Sequence, residues 1–251
     1  PQNPKTPNNK LRIYKFVKYL LLLFNMKYSV AILFTTAAQA QFLSLEDAPE
    51  APVWAKAFKQ DFTEDVKYPV IGEHKTKGTY YFDVSDESNM LTRIDRDNGD
   101  YDRYCGLTHH FSAGACQQYI TNGDRYLHYT KDDDCCYCCS ADHGCGVLKN
   151  DWISDAEFVD TEKLNGVDVL KWNKQGAQAN WYFETTESKA EDRTPIQTDM
   201  GVQSSTEFIQ NFLPETYTTD FDKSAFTLPS SCSKDKKCPV NSVCTALRGE
   251  K

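Results

Sequence analysis

This chain of 251 residues lacks the motifs that announce enzyme chemistry. It has no G-x-S-x-G, H-E-x-x-H, P-loop or G-x-G-x-x-G, so nothing signals a serine hydrolase, a zincin or a phosphate-binding enzyme. Histidine is scarce, at five residues, and the one adjacent pair, His109-His110, falls in a loop between Cys105 and Cys116, where an exposed imidazole is the commoner outcome. No N-x-S/T acceptor occurs, so N-glycosylation is not expected. No internal repeat of fixed period is present. Beyond residue 40 no apolar run approaches the roughly 20 residues of a membrane-spanning helix.

Positive charge is also in short supply. The chain carries 28 Lys and Arg against 36 Asp and Glu. Six of the basic residues and none of the acids lie in residues 1–40, which leaves a net charge of −14 on the remainder. A surface of that sign argues against nucleic acid as a partner and acts mainly for solubility.

Residues 1–25 read as an upstream, unstructured segment. From Met26 to Ala40 the sequence MKYSVAILFTTAAQA has the form of a signal peptide, with Lys27, an apolar stretch over Val30 to Phe34, and Ala38-Gln39-Ala40 as the cleavage site. The competing reading, a signal anchor over Ile13 to Ala40, is interrupted by Lys15, Lys18, Asn25 and Lys27. Secretion is the expectation, with no transmembrane segment after cleavage. Residues 41–57 read as a linker and 58–251 as one domain whose C-terminal tail covers 229–251.

Ten cysteines are present, all beyond residue 40. Five crowd into Cys135, Cys136, Cys138, Cys139 and Cys145, two more are Cys105 and Cys116, and the tail holds Cys232, Cys238 and Cys244. Both the body and the tail hold an odd number. Complete pairing therefore requires at least one bridge from tail to body, and neighbours such as Cys135 and Cys136 do not pair with each other without strain. In a cytosolic chain the same C-x-x-C spacings, with His128, His143 or the His109-His110 pair, would suit zinc; in a secretory chain they form a disulfide hub.

Alternation of polar and apolar residues with turn signals between dominates the rest. Strands are expected at DFTEDVKYPV, KGTYYFDVSD, LTRIDRD, DYDRYC, CQQYIT, DRYLHYT, GVDVLKW and ANWYFETT. Asn98-Gly99, Asn122-Gly123 and Asn165-Gly166 are hairpin signals, and short helices are expected at Trp152 to Leu164 and Ser205 to Leu213. The result is a mainly β protein, a curved antiparallel sheet with one or two short helices, stapled by disulfides. Its aromatic stripes serve either as ordinary core or as the lining of a pocket. The run Asp132-Asp133-Asp134 offers a weak calcium site or a solvated turn, and DRDNGDYD at Asp95 to Asp102 fails the EF-hand spacing.

The series GTYYFDVS, LTRIDR, NGDYDRYC, ITNGDRYLHY, CCYCCSADHGCG, VDVLKWNKQGAQANWYF and FTLPSSC, over roughly Phe58 to Cys232, resembles the ependymin-related proteins. That resemblance implies a secreted, non-enzymatic, disulfide-bonded protein. It also implies a curved sheet like that of LolA-type lipoprotein carriers, folded around a pocket for a hydrophobic, lipid-like ligand and associated with calcium. Carried onto this chain, the lining would come from Tyr80, Phe82, Ile94, Tyr126, Trp172, Trp181 and Phe183. The alternative is an extracellular structural or adhesive module whose sheet is filled by its own side chains.

Overall fold

The computed structural model describes residues 48–175, 180–202, 206–240 and 242–250. The signal-peptide segment and the proposed Ser205 helix cap lie outside them. The described residues form eleven strands: β1 (Ala57–Tyr68), β2 (Gly72–Asp83), β3 (Leu91–Arg96), β4 (Cys116–Thr121), β5 (Asp124–Tyr129), β6 (Asp134–Ser140), β7 (Glu157–Leu164), β8 (Val167–Lys174), β9 (Asn180–Glu184), β10 (Pro195–Val202) and β11 (Thr206–Phe212). They make one antiparallel sheet in the order β6-β5-β4-β3-β2-β1-β11-β10-β9-β8-β7. Two short α-helices, Cys105–Thr108 and Val243–Leu247, and four single 3-10 turns complete the regular structure among the described residues. Among the described residues no helix is long and apolar enough to cross a membrane.

Asn122-Gly123 and Asn165-Gly166 close tight hairpins as expected, with φ of 50° and 76° in the first and 51° and 88° in the second. Both residues of each turn occupy the left-handed region that a type I′ turn demands. Three local expectations are corrected. The DYDRYC segment is a turn running into the Cys105–Thr108 helix, so Asn98-Gly99 does not join two paired strands. Residues 157–164 are the edge strand β7, not helix, because the Asn165-Gly166 turn pairs them residue by residue with β8. Residues 206–212 are β11, wedged between β1 and β10; their alternation of Phe208, Gln210 and Phe212 carries a buried glutamine, which disguised the period-two pattern.

The sheet is strongly curved. Between β2 and β9 lie three strands, which in a flat sheet would hold them about 19 Å apart. The Trp54 ring nevertheless sits 6.0 Å from Tyr80 on β2 and 6.3 Å from Tyr182 on β9. The concave face is the one carried by Phe58, Phe62, Tyr80, Phe82, Phe212, Tyr182 and Trp172.

Both edges are managed. The β7 edge is exposed and strongly charged, with Glu157, Asp160, Glu162 and Lys163, which discourages pairing with another chain. At the other edge, Tyr137 of β6 pairs in parallel with Lys237 of the tail. Arg248 adds hydrogen bonds to the carbonyls of Tyr137 and Cys138.

All ten cysteines are paired, as Cys105–Cys116, Cys135–Cys232, Cys136–Cys238, Cys138–Cys244 and Cys139–Cys145. Successive strand residues point to opposite faces. Cys135 therefore joins the Tyr119, Tyr126 and Tyr137 cluster on one side, while Cys136 and Cys138 join the Leu127 and Tyr129 cluster on the other. Five bridges are the mark of a chain that matures in an oxidising compartment, extracellular or periplasmic.

Candidate functional site

The concave face has two halves separated by a polar ridge. In one half, Trp54 stands at the centre of an aromatic cage: Phe82 at 5.3 Å, Phe58 at 5.4 Å and Trp152 at 5.5 Å all meet its ring edge to face. Ile153 and Trp172 close the same cluster. In the other half, four of the five disulfides pack with Leu127 and Tyr129. The ridge runs from β1 to β5. Arg96 donates to both carboxylate oxygens of Glu64, at 3.0 and 2.7 Å, and faces Asp102 at 3.4 Å. Asp102 accepts from Gln118, which in turn accepts from Arg125.

The ridge depends on one residue without a side chain. In register, Gly78 of β2 lies between Phe62 of β1 and Arg96 of β3. A Cβ there would meet the Asp95 carbonyl oxygen at 1.8 Å and the Phe62 ring at 2.9 Å. Gly78 thus permits the close approach of the β3 backbone and the Phe62 ring where Arg96 crosses β2 to reach Glu64, with its guanidinium 5.6 Å from the Phe62 ring centre.

Trp54 belongs to no strand. It is carried by the arm of residues 48–56, expected from sequence to be a linker, and it is 3% exposed. Polar contacts latch the arm. The Trp54 indole N–H donates to the Tyr182 hydroxyl at 2.9 Å, and the Trp54 amide donates to the Asn150 carbonyl at 2.9 Å. Arg193 donates to the Glu50 carbonyl at 2.7 Å, to the Glu187 carbonyl at 2.7 Å and to the Glu184 carboxylate at 2.9 Å.

Both members of the Glu184–Arg193 pair have side chains 1% exposed. Burial pushes the Glu184 carboxyl up to about 7, against the opposing pull of Arg193, Trp172 and Tyr182. Burial likewise raises the Tyr182 phenol well above its ordinary range and the Tyr80 phenol to about 12. These hydroxyls are neutral at any physiological pH and act as hydrogen-bonding groups.

Several buried polar atoms on this side have no partner among the described residues: Gln60 Oε1, Thr198 Oγ1, Gln210 Nε2 and Trp152 Nε1. Thr198 and Gln210 are direct cross-strand neighbours, and Thr198 is opposite Tyr182. Unpaired buried polar groups each cost about 1–3 kcal/mol, so a row of them beside an aromatic cage is a notable feature.

Of the lining residues expected from sequence, the structure brings Tyr80, Phe82 and Trp172 into one cluster, with Ile94 packed against it. Tyr126, Trp181 and Phe183 are not there. Tyr126 packs with Tyr119 and Tyr137, and Phe183 packs with Val169 and Ile196, with Trp181 beside them. The inner residue of β9 is Tyr182, because it pairs with Trp172 across to β8. Trp54, Trp152, Glu184 and Arg193 escaped sequence reasoning; the alternation of Phe58, Gln60 and Phe62 in AFKQDF was visible.

Other features carry less chemistry. A cleft of about 540 Å³ is lined by Thr63, Asp65, Gln197, Asn211 and the β7–β8 turn, but Gln197, Asn211 and Asp65 satisfy one another by hydrogen bonds. In the calcium candidate, Asp133 accepts from His128 and Ser231, and Asp134 pairs with Lys236. Among the described residues no group of three or more His, Cys, Asp or Glu side chains is arranged to hold a metal. The Ser140 hydroxyl lies 3.0 Å from His143 Nδ1, in an exposed turn three residues long.

No family model matches the chain, so the ependymin-related resemblance gains no support there, and no curated protein matches either. Solved structures of similar outline exist. An uncharacterised conserved protein from Thermus thermophilus is 8% identical with a TM-score of 0.43, over 73% of this chain and 89% of that one. A putative outer membrane lipoprotein-sorting protein domain from Vibrio parahaemolyticus is 10% identical with a TM-score of 0.37, over 68% and 88%. A LolA superfamily protein from Nitrosomonas europaea is 10% identical with a TM-score of 0.35, over 69% and 91%. Likeness at that level assigns no ligand, partner or activity.

Proposed function

We propose that the chain binds a lipid-like ligand, with an apolar body and a polar group, on the aromatic half of the concave face, and that residues 48–56 close the site. The observation that carries this is Trp54: a side chain from outside the sheet fills the sheet's aromatic concavity and is held there by a few polar contacts. A ligand taking its place would keep the apolar contacts, at roughly 25 cal/mol per Å² removed from water. Gln210 and Thr198 supply unused polar atoms beside it. The role is non-enzymatic and secretory, and no cofactor is required.

The same indole favours a second reading, in which Trp54 is simply core and the molecule is an extracellular structural or adhesive module. Trp54→Ala separates the two. Truncating a buried tryptophan costs about 3–5 kcal/mol, so folding is first verified by thermal melting. A folded variant that takes up a fluorescent long-chain fatty acid saturably, at one per chain and more tightly than wild type, supports the binder. Tyr182→Phe, which removes the latch hydrogen bond together with the hydroxyl's interaction with Glu184, should show a smaller gain in the same direction. Folded variants that take up no more probe than wild type leave the filled-core module standing.

A further inference from the structure

The turn between β1 and β2 is built unlike a solvated hairpin. Its loop is Pro69, Val70 and Ile71, closed by Gly72 at φ +91°. Val70 is 95% exposed and Ile71 47%, so two adjacent aliphatic side chains form a protruding apex. Phe111, 39% exposed, stands beside it, 5.9 Å from the Tyr68 ring and 5.7 Å from Tyr101. Phe111 is held there by a costly backbone. His110 and Phe111 are consecutive non-glycine residues at φ of 51° and 64°, a conformation that such residues rarely adopt in pairs.

Below the apex the polarity changes in layers. Tyr68 and Tyr101 come next, with the Tyr68 hydroxyl donating to the Tyr101 carbonyl at 3.2 Å, and His74 stacked on the Tyr101 ring. Ion pairs are interleaved with these rings, Lys67 with Glu207 at 3.0 Å one residue below Tyr68, and Lys75 with Asp65 at 2.8 Å one level below His74. An aliphatic apex above a mixed belt of amphipathic rings and paired charges matches the step of a bilayer from hydrocarbon to its polar interface. A protein interface of ordinary size takes about 800 Å² from each partner, far more than a two-residue apex offers, whereas a bilayer accepts a narrow wedge.

We propose that this tip, Val70 and Ile71 with Phe111, docks the molecule on a zwitterionic lipid surface. Because the nearby lysines are already paired with acids, the attraction is apolar rather than electrostatic. The docking does not depend on ligand binding at the concave face.

Flotation of the protein with phosphatidylcholine vesicles tests it. The wild type should float with the vesicles, and the bound fraction should persist in 1 M salt, where exposed charges are screened within about 3 Å. Val70→Asp together with Ile71→Asp, both on an exposed turn, should keep the wild-type melting temperature and lower vesicle affinity at least about ten-fold. Ile71→Trp should add emission that shifts to the blue with vesicles and is quenched by acyl-chain-brominated lipid. Wild-type protein that stays at the bottom, binding abolished by salt, or an aspartate variant that floats as well as wild type would each overturn the docking. Fatty-acid uptake by Trp54→Ala is unaffected by the tip substitutions, so the two proposals fail separately.

Discussion

Glu184 is the residue through which pH reaches the stability of the fold. Its carboxyl, raised to about 7 by burial, holds its proton in the folded state at pH values where the unfolded chain, near the ordinary 4.5, has lost it. Its contribution to stability is therefore full below about pH 4.5 and is lost as pH rises through 7, on the order of 3 kcal/mol in total. Glu184→Gln has no charge to titrate. Melting temperatures of the variant and wild type, compared from pH 4.5 to 8, should converge or cross as pH rises, and a constant gap would refute the assignment. The facing groups are Arg193, Tyr182 and Trp172. Arg193 keeps three backbone carbonyls as acceptors in the variant.

At the scale of elements, β2 shows how one strand couples two parts of the concave face. Its Tyr80 and Phe82 join the aromatic cage, while Gly78 two positions earlier admits the β3 backbone and the Phe62 ring at close range, beside the Arg96–Glu64 pair. Gly78→Ala should destabilise by at least about 2 kcal/mol, because the clash is with backbone on β3 and a buried Arg96–Glu64 pair is displaced. Chemical denaturation measures this. An alanine variant within about 0.5 kcal/mol of wild type, the range of an innocuous surface change, would mean that the ridge does not need the glycine. The glycine and the alternation around it were legible in KGTYYFDV, but what passes over the glycine was not, since Glu64 and Asp102 come from distant parts of the chain.

For the whole molecule the tail is a structural element. Cys135–Cys232, Cys136–Cys238 and Cys138–Cys244 close loops with sequence separations of 97, 102 and 106. Taken alone, each constrains the unfolded chain by about 5 kcal/mol. They overlap, however, and run in the same order at both ends. With Cys136–Cys238 intact, removing Cys138–Cys244 frees a loop of only about eight residues, worth about 2.5 kcal/mol on the same scale. Replacing that pair by serine should therefore cost about half of what the first bridge contributes. Removing all three should release the tail, expose the β6 edge and promote aggregation, which light scattering under native conditions detects. Equal costs for each bridge regardless of order would contradict this account of overlapping loops.

Composition, alternation and cysteine parity determined much of this protein without reference to distant contacts. The mainly β class, the two Asn-Gly hairpins and the stapling of tail to body all follow from rules that act over a few residues or from counting. What they left open was which face turns inward and what fills it. Tyr182 rather than Trp181 and Phe183 lines the concavity, and Tyr126 lies on the other face. That choice is made by register across several strands, and a shift of one residue exchanges the two faces. Trp54 carries no periodic signal, because an arm outside the sheet obeys none. Only the curvature of the completed sheet creates the aromatic hollow that receives it.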